Sequence, residues 1–177
     1  MFWHAGVANV VVVTVQYRFN LFGFLGAAEM QRQSADGSTG NWGLQDQRLA
    51  LRWVQDNVAY FGGDPSRVML FGDSHAVAAH LLAKRSFGLY QRAVLQSGNF
   101  GGSVAQPLAH AQRIFDRVAA VFNCSGGITP DPLACLRKVS PTLLLCWQDL
   151  CWQCFAVVDT EWVAVGWRSF AQLRARH

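Results

Sequence analysis

A chain of 177 residues that is 51% hydrophobic is long enough to bury a core as one domain, which sets disorder aside as its default state. The formal net charge of +4 comes from arginines and lysines scattered along the sequence, with only Arg168, Arg174 and Arg176 gathered near one end. Nucleic-acid or membrane-surface binding needs a clustered basic patch, so neither is expected as a partner. No apolar run approaches the ~20 residues of a membrane span, and Met1 to Val15 has neither the basic start nor the small-residue cleavage site of a signal peptide. Five cysteines leave at least one unpaired if disulfides form, so cysteine number alone does not fix the redox compartment.

In chain order, Val10 to Val15 is a nearly continuous β-branched run, the pattern of a buried central strand in a parallel sheet. From Leu44 to Phe61 the apolar Leu51, Val54, Val58 and Phe61 fall three or four apart, with Asp46, Arg48, Arg52 and Asp56 off that stripe. This spacing predicts an amphipathic helix, with Gly62 placed to stop it. Asp64-Pro65-Ser66 then reads as a turn, Val68 to Phe71 as a short strand running into Gly72, and His75 to Lys84 as a second helix. Ala93-Val94-Leu95 reads as another short buried strand ending at Ser97-Gly98. Alternating strands and helices of this kind define an α/β fold with a mostly parallel sheet. Pro107 to Phe122 opens on a helix-start proline and carries the stripe Leu108, Ala111, Phe115, Val118 and Phe122. After Leu145 the character changes: three cysteines and four tryptophans fall between Cys146 and Trp167, with no clear periodicity. Residues 1–145 are therefore read as one partial α/β domain and residues 146–177 as a divergent Trp- and Cys-rich tail.

The segment that carries chemistry is Phe71-Gly72-Asp73-Ser74-His75-Ala76, nearly G-x-S-x-G, with its serine between a predicted strand and a predicted helix. In a nucleophile elbow the serine sits on a strained, tight turn that exposes its hydroxyl, and the next residue donates a backbone N–H to the oxyanion. Ser74 takes the nucleophile's place and His75 the donor's. The His75 ring is not expected to reach Ser74 as a general base, since successive side chains at such a turn point apart. His80 and His110 read as core or surface side chains on helices.

Around that serine, Val11-Val12-Val13-Thr14-Val15-Gln16-Tyr17-Arg18, Phe22-Gly23-Phe24-Leu25, Gly40-Asn41-Trp42-Gly43-Leu44-Gln45-Asp46-Gln47, Ala50-Leu51-Arg52-Trp53-Val54-Gln55-Asp56-Asn57, Phe61-Gly62-Gly63-Asp64-Pro65 and Ala93-Val94-Leu95-Gln96-Ser97-Gly98 follow one another at characteristic spacing. In that order they resemble the type-B carboxylesterase and cholinesterase family over roughly Val10 to Leu145, with an echo at Val157-Val158-Asp159. The resemblance implies an α/β-hydrolase fold, of which this chain is a fragment, and hydrolysis of small-molecule carboxylic esters. It implies no metal or organic cofactor and a secreted or secretory-pathway location. It also implies a partly buried salt bridge between Arg18 and Asp46, and a small disulfide loop closed by Cys124 and Cys135. The alternative for those two cysteines is a pair of buried free thiols. Cys151-Trp152-Gln153-Cys154 has no second pair and no nearby histidine, so it is a weak metal or redox signal.

The chain also departs from the family pattern. Where the family has Glu, Ala and Gly around and after its serine, this chain has Asp73, His75 and Ala76, and a ring at His75 crowds the acyl position. His4-Ala5-Gly6 stands too close to the Val-rich run, and is too poor in glycine, to be the family's oxyanion loop. The order in these enzymes is serine, acid, histidine, the last two far downstream, and His177 has no resembling context. The isolated chain is accordingly expected not to turn over esters. The second reading is a non-catalytic cholinesterase-like module for binding or adhesion, since the family includes members that kept the surface without the triad. The third is a truncated gene product.

Overall fold

The structure is a computed structural model that describes residues 9–97, 105–125, 127, 129–146 and 156–157. Its elements in chain order are α1 (Asn20–Phe24), α2 (Ala28–Gln33), α3 (Trp42–Asn57), β1 (Met69–Asp73), α4 (Ser74–Leu82), β2 (Arg92–Gln96), β3 (Ala105–Gln106), α5 (Leu108–Val121), α6 (Pro132–Leu136), α7 (Pro141–Cys146) and β4 (Ala156–Val157). Single 3₁₀ turns at Val58–Phe61, Pro65–Arg67 and Lys84–Ser86 link them. Leu44, Leu51 and Val54 form the buried stripe of α3, as their spacing requires. Past Asn57 the helix tightens to 3₁₀ and ends on Gly62 at φ +77°, a left-handed conformation that glycine adopts without steric cost. Phe61 falls in that last turn and is exposed, its ring tilted against that of Trp53 at 5.8 Å.

β1 and β2 pair in parallel, Met69 opposite Arg92 through Asp73 opposite Gln96, with α4 as the crossover between them. β3 and β4 make a second, minimal parallel pair. Residues 10–15 correct one expectation. They form no strand in the structure, and Val10, Val11, Val13 and Val15 are exposed rather than buried in a sheet. A β-branched run supplies strand propensity, but a ladder exists only where a neighbour accepts its hydrogen bonds, and none of the described residues does so here. β2 is likewise half open, its Arg92, Val94 and Gln96 on an uncovered face.

Two apolar clusters hold the body together. Leu21, Leu25, Ile114, Phe115, Val118 and Leu136 bring α1, α5 and α6 together, while Phe24, Leu44, Ala78 and Ala79 join α1, α3 and α4. Between α3 and α4 lies a polar joint. His80 on α4 is 1% exposed, with Nδ1 2.8 Å from the Ser86 hydroxyl and Nε2 2.9 Å from Oε1 of Gln47 on α3. Gln47 Oε1 only accepts, so the ring carries its proton on Nε2 and takes the Ser86 hydroxyl proton at Nδ1. Burial, reinforced by the charge of Arg48, lowers the His80 pKa from 6.5 to about 4.

The unfolded chain, with its histidine near 6.5, therefore binds the proton before the folded chain does, and stability falls as pH drops from about 6.5 to about 4. The expected slope is about 1.4 kcal/mol per pH unit across that window, followed by urea unfolding at successive pH values. His80→Asn should flatten the slope. The low-pKa carboxylate Asp36, held by Ser38, Ser34 and Arg85, contributes a separate loss below its ordinary value of 3.8. A slope unchanged by the substitution would place the acid sensitivity elsewhere.

Candidate functional site at the strand-helix junction

β1 runs straight into α4, so Asp73 and Ser74 are the last residue of a strand and the first of a helix. Gly72, inside β1 and opposite Leu95, has φ +156°, a value side-chain-bearing residues rarely adopt. Asp73 caps the helix, its carboxylate accepting the His75 backbone N–H at 3.0 Å. Ser74 is then an ordinary first-turn residue, 1% exposed. Asp73 supplies the cap, and Ser74 is not among the residues with positive φ. Among described residues other than glycine, positive φ occurs at Asn9, Asn20, Asn123 and Ser97, the last at +68° just past β2.

The His75 N–H, the oxyanion donor expected from sequence, points into a carboxylate rather than an open site. Its ring is half exposed with Nδ1 3.5 Å from Asp73 Oδ1, on the Asp73 side of the junction. A cleft of about 440 Å³ lies elsewhere, lined by Leu21, Leu25, Met30, Val118, Leu136 and Leu144 among others, and neither Ser74 nor His75 contributes to it. His110 sits on α5, with Nδ1 3.2 Å from an Arg113 amine nitrogen. Among the described residues no group of three or more His, Cys, Asp or Glu side chains is placed to hold a metal ion. His4, His177 and the Cys151–Cys154 pair lie outside the described residues.

Arg18 meets Asp46, in the first half of α3, in a two-pronged contact: Nε to Oδ2 and NH2 to Oδ1, each 2.8 Å. The Arg18 backbone N–H adds a third bond to Oδ2 at 3.0 Å. The guanidinium pulls the Asp46 pKa below its ordinary value. Beside it the chain passes close to the start of α3, where a Cβ on Gly43 would stand 2.6 Å from the Arg18 carbonyl oxygen and from the Phe24 ring. The Arg18 side chain is 51% exposed, so solvent screening limits the pair to about 1 kcal/mol. Asp46→Ala should cost more than Arg18→Ala, because it also strips the Arg18 N–H of its acceptor. Equal losses in urea titrations of the two variants would rule out a role for the backbone bond.

Cys124 and Cys135 form a disulfide with Cα atoms 5.5 Å apart and a sequence separation of 11. The bridge ties the end of α5 to α6, whose start is capped by the Asp131 carboxylate on Ala134 N–H at 2.9 Å. Closing a loop of this length contributes about 2–3 kcal/mol in the entropic account. Cys135→Ser should lower unfolding stability by that amount, and a peptide map of unreduced protein from a secretory host should contain the 124–135 link. Cys146 is a free, exposed thiol.

A parallel strand-crossover-strand unit with a serine where strand meets helix, packed under α3 and α1, is the middle of an α/β-hydrolase. The chain belongs to the carboxylesterase family, which matches residues 3–166. It is 39% identical to acetylcholinesterase of Electrophorus electricus over 164 residues, 89% of this chain and 23% of that protein. It is also 39% identical over 142 residues, 77% of this chain, to Neuroligin-3 of Homo sapiens and to juvenile hormone esterase of Tribolium castaneum. Those stretches make up 16% and 23% of the two relatives, so the chain spans less than a quarter of the length of the proteins it matches.

Two groups central to this arrangement escaped the sequence reading. Gln47 and Ser86 hold His80 in the interior, and Asn41, fully buried, exchanges two hydrogen bonds of 2.9 Å with the Val157 backbone. Gln47 and Asn41 fall within the family-like Gly40 to Gln47 segment, which marked the place but not the role.

Proposed function

We propose that the 177-residue chain is a carboxylesterase-family unit that does not itself hydrolyse esters, with Ser74 acting as a helix-start residue and not as a nucleophile. The observation that carries this reading is the burial of Ser74, 1% exposed behind a capped helix start, while the adjacent N–H is taken by Asp73. A serine hydroxyl attacks only when a base takes its proton and the carbonyl carbon can reach it. Among the described residues His80 has both ring nitrogens engaged by Ser86 and Gln47, which leaves it no part in such a relay.

The competing reading, a serine hydrolase whose base and acid come from further sequence, is favoured by the position of Ser74 at the strand-helix junction and by relatives named as esterases. The match to Neuroligin-3, whose name states no esterase activity, is compatible with the second reading, a non-catalytic module for binding or adhesion. The disulfide supports passage through an oxidising compartment.

Release of p-nitrophenol from p-nitrophenyl butyrate should equal that of the Ser74→Ala protein, and a fluorophosphonate should leave Ser74 unlabelled. Loss of a single oxyanion donor already costs on the order of 10² to 10³ in rate, so an N–H held by Asp73 leaves little to detect. Turnover clearly above the Ser74→Ala control, or labelling at Ser74, would overturn the proposal.

A further inference from the structure

Asn123-Cys124-Ser125 is an Asn-x-Ser triplet, the acceptor sequence for an N-linked oligosaccharide, and none of the other asparagines in the chain has a serine or threonine two positions on. The triplet falls where α5 ends. Asn123 turns left-handed at φ +54°, its N–H bonds to the Ala120 carbonyl at 3.1 Å, and the Cys124 N–H bonds to the Ala119 carbonyl at 2.7 Å. These two bonds close a helix in the Schellman manner, for which asparagine serves in place of glycine. The helix end therefore accounts for an asparagine at 123. It makes no demand for a hydroxyl at 125, because Ser125 enters the turn through its backbone carbonyl, which accepts the Thr129 N–H at 3.0 Å.

Asn123 is exposed, whereas Cys124 is 0% exposed and bonded to Cys135. A bulky glycan on the Asn123 amide would stand in solvent and leave the bridge undisturbed. Its transfer asks for more than an exposed amide. The transferase must hold the Asn123 amide and the Ser125 hydroxyl at once, so residues 123–125 must run through its groove as open chain. In the folded protein the turn bonds and the buried bridge hold that stretch closed. Before folding there is time for it: Cys135 follows Cys124 by 11 residues, on the order of a second of synthesis, and disulfide formation takes seconds to hours.

We propose that Asn123 is an N-glycosylation site, filled on the nascent chain before Cys124 and Cys135 join. The Asn123 amide nitrogen forms a bond to the anomeric carbon of an oligosaccharide carried on a polyprenyl diphosphate. The bond from that carbon to the diphosphate oxygen breaks, the lipid diphosphate leaves with the bonding electrons, and the amide gives up one proton. Nothing is oxidised or reduced in the transfer. The site rests on the passage through an oxidising compartment that the disulfide supports. Once the bridge closes, the middle residue of the acceptor is buried and the site is no longer open to the transferase.

The full chain, expressed behind a secretory leader in a eukaryotic host and pulse-labelled, should carry a single glycan that a peptide N-glycosidase removes. Ser125→Ala should lose it entirely, while Ser125→Thr and Cys135→Ser keep it. The readout is taken on nascent chains, so it does not depend on whether a variant folds. Alkylating free thiols through the chase separates open from bridged chains, and the glycan should appear first on open ones. Bridged protein without a glycan at every time would overturn the proposal and leave the compartment reading standing, whereas protein with neither bridge nor glycan would overturn both. A glycan that survives Ser125→Ala, or one gained by chains already bridged, would equally overturn the proposal.

Discussion

The interaction on which the arrangement rests is the neutral imidazole of His80 held between α3 and the turn at Lys84–Ser86. Its two ring nitrogens make the only kind of contact a buried histidine can keep cheaply, one donated and one accepted bond. Through Gln47 it fixes α4 against α3, and through Ser86 it fixes the turn that delivers β2 beside β1. Arg48, next to Gln47, donates to the Arg85 carbonyl at 2.6 Å, and Gln55, two turns on, donates to the carbonyls of Pro65 and Leu89. One helix thus satisfies backbone groups in both connections that flank the short parallel pair, the one leading into β1 and the one between α4 and β2.

The strand-helix junction shows how a change of residue type moves strain without changing topology. A helix must satisfy its first N–H groups, and an aspartate in the cap position does so well. At Asp73 that cap captures the His75 N–H, the group that would otherwise be free to face an oxyanion. The helix begins on Ser74 and buries it. Good local capping and an exposed nucleophile are competing demands on the same three residues.

Periodicity made the helices legible. The three-and-four spacing of Leu44, Leu51, Val54 and Val58 led to α3, and that of Ala111, Phe115 and Val118 led to α5, because burying one stripe dictates that pattern. β1 and β2 were legible as short apolar runs between turn residues. Residues 10–15 misled for the same reason that strands are hard to read in general: a helix satisfies itself, whereas a strand is made by its partner, and the partner is not written in the run. The Ser74 geometry was not legible either, since G-x-S-x fixes neighbours but not which residue takes the unusual dihedral. Asn41, Gln47 and Ser86 have no periodic signature at all, being polar residues whose burial is justified only by hydrogen bonds to distant partners.

Asn41 carries this last point furthest. Its side-chain amide offers one donor and one acceptor in the spacing of a peptide group, and it pairs with the Val157 N–H and carbonyl as a neighbouring strand would. Val157 is fully buried, its methyl group set against Gly26 and Gly40, where a Cβ on Gly26 would stand only 2.8 Å from Val157 Cγ2. Small residues at 26 and 40 and an amide at 41 therefore form a socket for a single valine across 116 positions of sequence. A boundary drawn at Leu145 from tryptophan and cysteine content leaves Val157 outside the domain, yet the valine fills its core. Composition registers what a segment is made of; the socket shows what the body requires of it, and the requirement is met by one backbone unit and two methyl groups that any apolar, β-branched residue at that place would supply.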